Sequence, residues 1–283
     1  MPRQSIEQPR RGFALILVLW VAGLAGLLGL LIMRTVQTEQ HLARNQIEAM
    51  QAEALADGAI YWAIGLLATS TQDSRLAGPV RPQVEPFFGR VGVTIQPVAG
   101  LIDLNSEPQA VVLAGLLQAL GVPEPEALAL TARIADWRDE DDTPRPGGAE
   151  APAYQAAGRP GPLNAPFQSV SALRGVLGLS PDLAARLAPY VTVRSGGILD
   201  VGFSPAPVRL AVAAVGGAAP AGNVTESRGP RPRVPVYRLT ATARLDSGTV
   251  AVRSAAVLIR TSSAGPSFQF LEWTSAAAIA GLS

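Results

Sequence analysis

The chain has 283 residues, is 48% hydrophobic, and balances 23 basic against 22 acidic side chains for a formal charge of +1. That apolar content supplies a core and excludes global disorder, and the near-neutral balance lacks the excess expected of a general nucleic-acid binder. With no cysteine and one histidine, His41, a disulfide scaffold, a zinc ribbon, a thiol nucleophile and a multi-histidine metal site are excluded.

Residues 13–33 form an apolar run without charge or proline, which at the helical rise reaches about 30 Å, the thickness of a bilayer core. Ahead of it Arg3, Arg10 and Arg11 outweigh Glu7, so the positive-inside rule predicts a cytoplasmic leader over 1–12. The chain beyond Met33 then lies on the other side of a membrane crossed once. Residues 34–67 contain no proline and are rich in Ala, Gln, Glu and Leu, so one helix is predicted from about Phe13 to Leu67. His41 falls on its polar stretch and is expected to face solvent.

The sequence Arg10-Arg11-Gly12-Phe13 followed by a long apolar helix resembles the class III signal of type IV pilins and pseudopilins. The resemblance implies cleavage between Gly12 and Phe13 by the prepilin peptidase and methylation of the new terminus. Leu17 stands where that family usually carries a Glu, whose carboxylate pairs with the amine of a preceding subunit. A charge in the membrane is costly, and a tip subunit has no such amine to meet.

Residues 69–86, with Pro79, Pro82 and Pro86, read as a loop, and 87–98 alternate as a half-buried strand. Helical periodicity follows over 110–120, 127–137, 170–176 and 183–190, with a further short helix over 208–215. The end is β: 236–245 and 249–261 flank Asp246-Ser247-Gly248 as a hairpin, and 268–273 add another strand. Neither β part has enough strands to stand alone. The predicted fold is therefore α+β, a long N-terminal helix packed on a small antiparallel sheet, with a large all-α insertion. By residue number it divides into the pilin-like first part 68–100, the insertion 101–194 and the C-terminal part 195–283.

The densest chemistry is Asp136-Trp137-Arg138-Asp139-Glu140-Asp141-Asp142 with Gly147-Gly148-Ala149-Glu150 downstream. Clustered carboxylates on a loop suit Ca²⁺, and Asp139, Asp141 and Glu150 fall at the first, third and twelfth positions of an EF-hand-like spacing. Pro144 stands where that loop needs Gly, so the segment is a Ca²⁺-compatible acidic loop and not an EF-hand. Trp137 is expected to pack under the loop. The segments around Asn105 and Asn164 are similar to helix-hairpin-helix repeats, which bind DNA phosphate. Between 101 and 194, however, 11 acidic residues face 7 arginines, a balance that repels a polyanion. Asn105 and Asn164 are therefore predicted to cap or turn at helix starts.

Taken together, Gly12-Phe13, Leu17, Ile102-Asp103-Leu104-Asn105, the Asp136 to Asp141 run, Gly148-Ala149-Glu150 with Tyr154, and residues 164–173 resemble the protein K family of type II secretion minor pseudopilins. The resemblance implies a pilin-like domain with a helix-hairpin-helix-like or SAM-like insertion, at the tip of a pseudopilus with minor pseudopilins I and J. It implies Ca²⁺ at Asp136, Asp139, Asp141 and Glu150, and a subunit that helps to initiate assembly and export and catalyses nothing. The family often continues Gly-Ala-Glu with Asp; Ala151 here removes one expected oxygen. The alternatives are a membrane-anchored DNA receptor of the competence type, which needs a basic helical block, and an anchored enzyme, which needs more catalytic partners than one acidic cluster supplies.

Overall fold

A computed structural model describes residues 11–69, 78–80, 89–216, 224–225, 235–262 and 265–276. One helix, α1 (Arg11–Thr69), runs for 59 residues, about 90 Å, and its last turn is closed by Thr69 Oγ1 donating to the Gly65 carbonyl at 2.8 Å. Among the described residues no helix is both long and apolar enough to cross a membrane. The side chains of 11–14 and 29–41 lie outside those residues, so the predicted span 13–33 is only partly covered, and His41 is not covered.

The strands β1 (Gly78–Val80) and β2 (Gly89–Pro97) precede the helical block. Within the block come β3 (Ile102–Asp103), α2 (Ala110–Ala119), α3 (Glu124–Arg138), α4 (Ala151–Ala156), α5 (Pro181–Leu187) and β4 (Val191–Thr192). Then follow β5 (Leu199–Asp200), α6 (Ala206–Val215), β6 (Val224–Thr225), β7 (Val236–Leu245), β8 (Val250–Ser262) and β9 (Gly265–Ala276). The main sheet is antiparallel in the order β1-β2-β7-β8-β9, so the two β parts share one sheet, as their separate insufficiency predicts.

The alternation in the strands decides which face meets α1. Ile95, Leu239 and Ala255 form one cross-strand row, and they pack with Ala56, Ala59, Ile60, Ala63 and Ile64 of the helix. Those helix residues recur at intervals of three and four, one stripe of the surface. Arg253 on the same sheet face donates to Asp57 at 2.7 Å and Glu53 at 2.8 Å, tying the rim of the interface. The hairpin turns at Asp246-Ser247-Gly248, where Gly248 takes the left-handed conformation (φ 93°) that a side chain would strain.

The helical block leaves β2 through Gly100, where a Cβ would strike the Phe203 carbonyl, so glycine permits that close backbone approach. β3 and β4 pair in parallel and bring the two ends of the block together. Asp103 secures that closure: its buried carboxylate accepts from Ser195 N (3.1 Å), Ser195 Oγ (2.9 Å) and Gly197 N (3.2 Å), and from Asn105 N at 3.0 Å.

The structure departs from the sequence reading at identifiable points. The insertion is not purely helical, because these two-residue parallel pairs close it. Leu199, Val208 and Ala211 join its core, so by packing the block continues past 194. Residues 170–175 form a 3₁₀ turn, not an α-helix, seating Leu173 in the core with Gly175 hard against the Trp137 indole. β1 lies in the segment read as loop, and α4 is too short to show periodicity. Asn105 does not cap a helix: its Oδ1 accepts from Phe167 N at 2.8 Å and its Nδ2 donates to the Phe167 carbonyl at 3.0 Å, clasping two distant segments. Asn164 does form a turn, with φ 44°.

Candidate metal centre

The last turn of α3 delivers Asp136 and Trp137, and the loop to α4 returns Glu150 beside them. Trp137 is core: it stacks on Phe167 with centroids 6.1 Å apart and meets Tyr154 at 5.9 Å, flooring the loop. Asp136 is fully buried, its Oδ2 accepting from Ala149 N at 2.8 Å and Arg145 N at 3.2 Å, its Oδ1 from Arg145 Nη1 at 2.8 Å. Gly148 must be glycine here, since a Cβ would occupy the position of Asp136 Oδ2.

Asp136, Asp139 and Glu150 each place a carboxylate oxygen within 4.8 Å of the others. Oxygens bound 2.3–2.6 Å from one ion can be no more than about 5 Å apart, so the spacing fits a single hard cation. Both oxygens of Glu150 and Oδ1 of Asp139 are buried without a hydrogen-bond partner. Burial, reinforced by the charges of Asp136, Asp139, Asp142 and Asp141, pushes the Glu150 carboxyl up to about 7. A buried acid with unused oxygens is the state that a cation relieves, so these residues fit the group their chemistry suggests.

The fourth predicted ligand is placed elsewhere. Asp141 Oδ1 accepts from Thr143 N at 2.8 Å in an exposed turn, and Asp141 is not in the cluster. Arg145, which the sequence reading passed over, ion-pairs with both Asp136 and Asp139, and their hydrogen bonds raise its pKa further. Its position between the acidic run and Gly147-Gly148 was the available signal. Arg138 ion-pairs with Glu107 and donates to the Leu104 carbonyl, coupling the loop to the block's first turn. Gly12 and Phe13 lie at the start of α1, with their side chains outside the described residues.

Comparison with known proteins bears on this architecture directly. The sequence model described as type II secretion system (T2SS), protein K, matches residues 99–196, which contain β3 through β4 and the whole acidic loop. Type II secretion system protein K of Klebsiella pneumoniae is 32% identical over 218 residues, covering 68% of this chain and 65% of that protein, a little under two thirds of its length. The Pseudomonas aeruginosa protein K is 29% identical over 254 residues, with 79% of this chain and 74% of that protein covered. The fold is similar to the crystal structure of the GspK-GspI-GspJ complex from the enterotoxigenic Escherichia coli type 2 secretion system, with a TM-score of 0.62 at 17% identity, over 83% of this chain and 99% of that one.

A long helix on an antiparallel sheet, interrupted by an acidic helical block, is thus the architecture of a type II secretion system component. Within that class, the chain belongs to the protein K family.

Proposed function

We propose that this chain is a minor pseudopilin at the tip of a type II secretion pseudopilus, where it joins minor pseudopilins I and J, helps to initiate assembly and serves the export of folded proteins. The observation that carries the reading is the family match over the helical block, joined to a fold similar to a K subunit crystallised with I and J. Anchoring in the inner membrane is supported by the start of α1. Leu15, Ile16, Leu17, Val18, Leu19, Trp20 and Val21 are each more than half exposed, a surface that water does not tolerate over several turns. Leu17 carries no carboxylate to offer a neighbour, which suits a terminal subunit. Prepilin peptidase cleaves at Gly12-Phe13 in this reading, methylation follows, and the remainder of the chain stands in the periplasm.

Asp136, Asp139 and Glu150 would hold Ca²⁺, with Asp141 reaching it only if the Thr143 turn opens. Bound Ca²⁺ supplies positive charge that neutralises the buried acids and fixes the loop between α3 and α4. Arg145 performs part of that neutralisation by itself, and Ala149 N–H and Gly148 hold the Asp136 carboxylate in place.

Reconstitution tests the reading. Co-expressed with I and J of the same secretion locus, the full chain should purify as a stoichiometric complex, and its deletion should stop secretion. A locus that secretes normally without the chain, or a chain that never associates with I and J, would falsify it. Separately, Leu17→Glu should not raise secretion; a gain would mark an internal subunit and remove the tip placement.

A further inference from the structure

The face of the sheet turned away from α1 is polar, and it is not packed against the helical block along its whole width. Thr94, Thr240 and Ser254 lie side by side across β2, β7 and β8, and the next row is Gln96, Arg238, Ala256 and Glu272. Over these rows the block arches, with Val170, Pro189, Tyr190 and Pro205 as its underside, leaving a cavity of about 550 Å³. That volume lies within the roughly 300–1,000 Å³ of ordinary ligand sites, and a hydroxyl floor beneath an apolar roof gives it two chemically distinct walls.

The charges in this cleft do not balance. Arg238 donates to two neutral carbonyls, Ala188 at 3.0 Å and Val191 at 2.6 Å, and among the described residues no carboxylate forms an ion pair with it. Burial lowers its pKa, opposed only by the more distant charge of Glu272, yet a guanidinium stays protonated. Glu272 is engaged instead by Arg194, whose Nε stands 3.6 Å from it and has no hydrogen-bond partner. Two guanidinium groups thus stand near a single carboxylate that pairs with only one of them, and each guanidinium carries five donors.

We infer that this cleft is a docking site for a peptide segment of another protein, held by a carboxylate of that segment on Arg238 and by apolar side chains under the Pro189 and Tyr190 roof. A carboxylate supplies the missing countercharge in the planar, paired geometry that guanidinium groups recognise best. The apolar roof favours a peptide over a bare anion, because a small carboxylate leaves that surface in water. The site is separate from the acidic loop and goes beyond the role proposed above; it stands or falls without it.

The test is selection of a random heptapeptide library on the full chain, followed by affinity measurement of the enriched peptides. The expected result is peptides with an Asp, Glu or free terminal carboxylate beside apolar residues, weakened at least tenfold when that carboxylate is replaced by its amide. Arg238→Gln removes the charge while keeping a neutral N–H donor, and should weaken binding by a similar factor. Ser254→Leu fills the cleft floor without touching Arg238, so binding should be lost in that variant too, with the thermal midpoint preserved; it serves alone if Arg238→Gln does not fold. Absence of enrichment, enrichment of peptides indifferent to their carboxylates, or binding undiminished in Ser254→Leu overturns the inference.

Discussion

The two hydrophobic cores of this molecule are built on opposite plans. Where α1 crosses the sheet, the core is mainly aliphatic, with Ala56, Ala59, Ile60, Ala63 and Ile64 against Ile95, Leu239, Ala241, Ala243 and Ala255, and among the described residues it buries no charged side chain. The helical block is filled by Trp137, Tyr154, Phe167 and many Leu, and it contains Asp103, Gln109, Asp136, Glu150, Ser195 and Asp200 as buried polar groups. The difference follows from geometry. A straight helix meets a sheet along one stripe, which alanines interleaved with Ile and Leu fill, whereas short segments meeting at many angles leave irregular spaces for aromatic rings. Those short segments also expose loop backbone that must find partners, and the buried acids supply them. The sheet half should thus respond chiefly to changes of volume, and the block to changes of charge as well as of volume.

The largest expected effect is in the block. Trp137→Ala removes the ring that floors the acidic loop and should cost about 3–5 kcal/mol, read by urea denaturation. Circular dichroism should still report the α1 helix at denaturant concentrations where the block has melted; a single concerted loss of both would show the two cores to be one cooperative unit.

Next in size is the response to Ca²⁺. Binding to the folded state alone should add about 2.7 kcal/mol at a hundredfold excess over the dissociation constant, seen as a higher thermal midpoint that chelator reverses. Asp139→Ala should abolish the shift, while Asp141→Ala should leave most of it, because only the former belongs to the cluster. Equal melting of wild type with and without Ca²⁺ would reduce the cluster to an Arg145-neutralised loop.

The pH dependence sharpens the same contrast. Glu150 is raised from 4.5 to about 7 in the fold, so the folded chain holds its proton more tightly than the unfolded one. Without metal, its contribution to stability is therefore greatest below pH 4.5 and is lost as pH rises through 7. Ca²⁺ needs the ionised form, so the Ca²⁺-induced shift should be full above pH 7 and shrink as pH falls below it. Glu150→Gln should flatten the metal-free pH dependence; a slope unchanged in that variant would place the titrating group elsewhere.

Smaller effects belong to the sheet half. Ala243→Leu should cost about 1–3 kcal/mol by forcing α1 off the sheet, with no change in the Ca²⁺ response. Glu53→Ala, which loses one exposed partner of Arg253, should cost only about 0.2–1 kcal/mol in the same denaturation assay, diminishing with salt.

The long helix, the 236–261 hairpin and the shared sheet were legible because each rests on a pattern within one segment: an apolar run continued by a proline-free stretch of helix formers, alternation in a strand, Gly248 at the turn. The short pieces of the block were not. Residues 151–156 and 170–175 are too brief for a period, and the Asn105 clasp on Phe167 joins positions more than sixty residues apart. The EF-hand-like spacing nominated Asp139, Asp141 and Glu150 as equals, because spacing counts residues along a chain and does not record where they turn.

By itself, then, the sequence determined the class of the protein: the apolar start with its basic leader, the α+β order, and an acidic loop in a helical insertion, all local patterns of hydrophobicity and charge. Only the tertiary structure decided which carboxylates meet. It buried Asp136 and Glu150 with Asp139 beside them, left Asp141 in a solvent-facing turn and set Arg145 between two of the acids. It also stranded Arg238 over a cleft that neither the sheet nor the block forms alone. The physical reason is that burial and charge pairing act through space, between residues brought together by the packing of separate elements, and the energy of a carboxylate or a guanidinium is set by those neighbours rather than by its position in the chain.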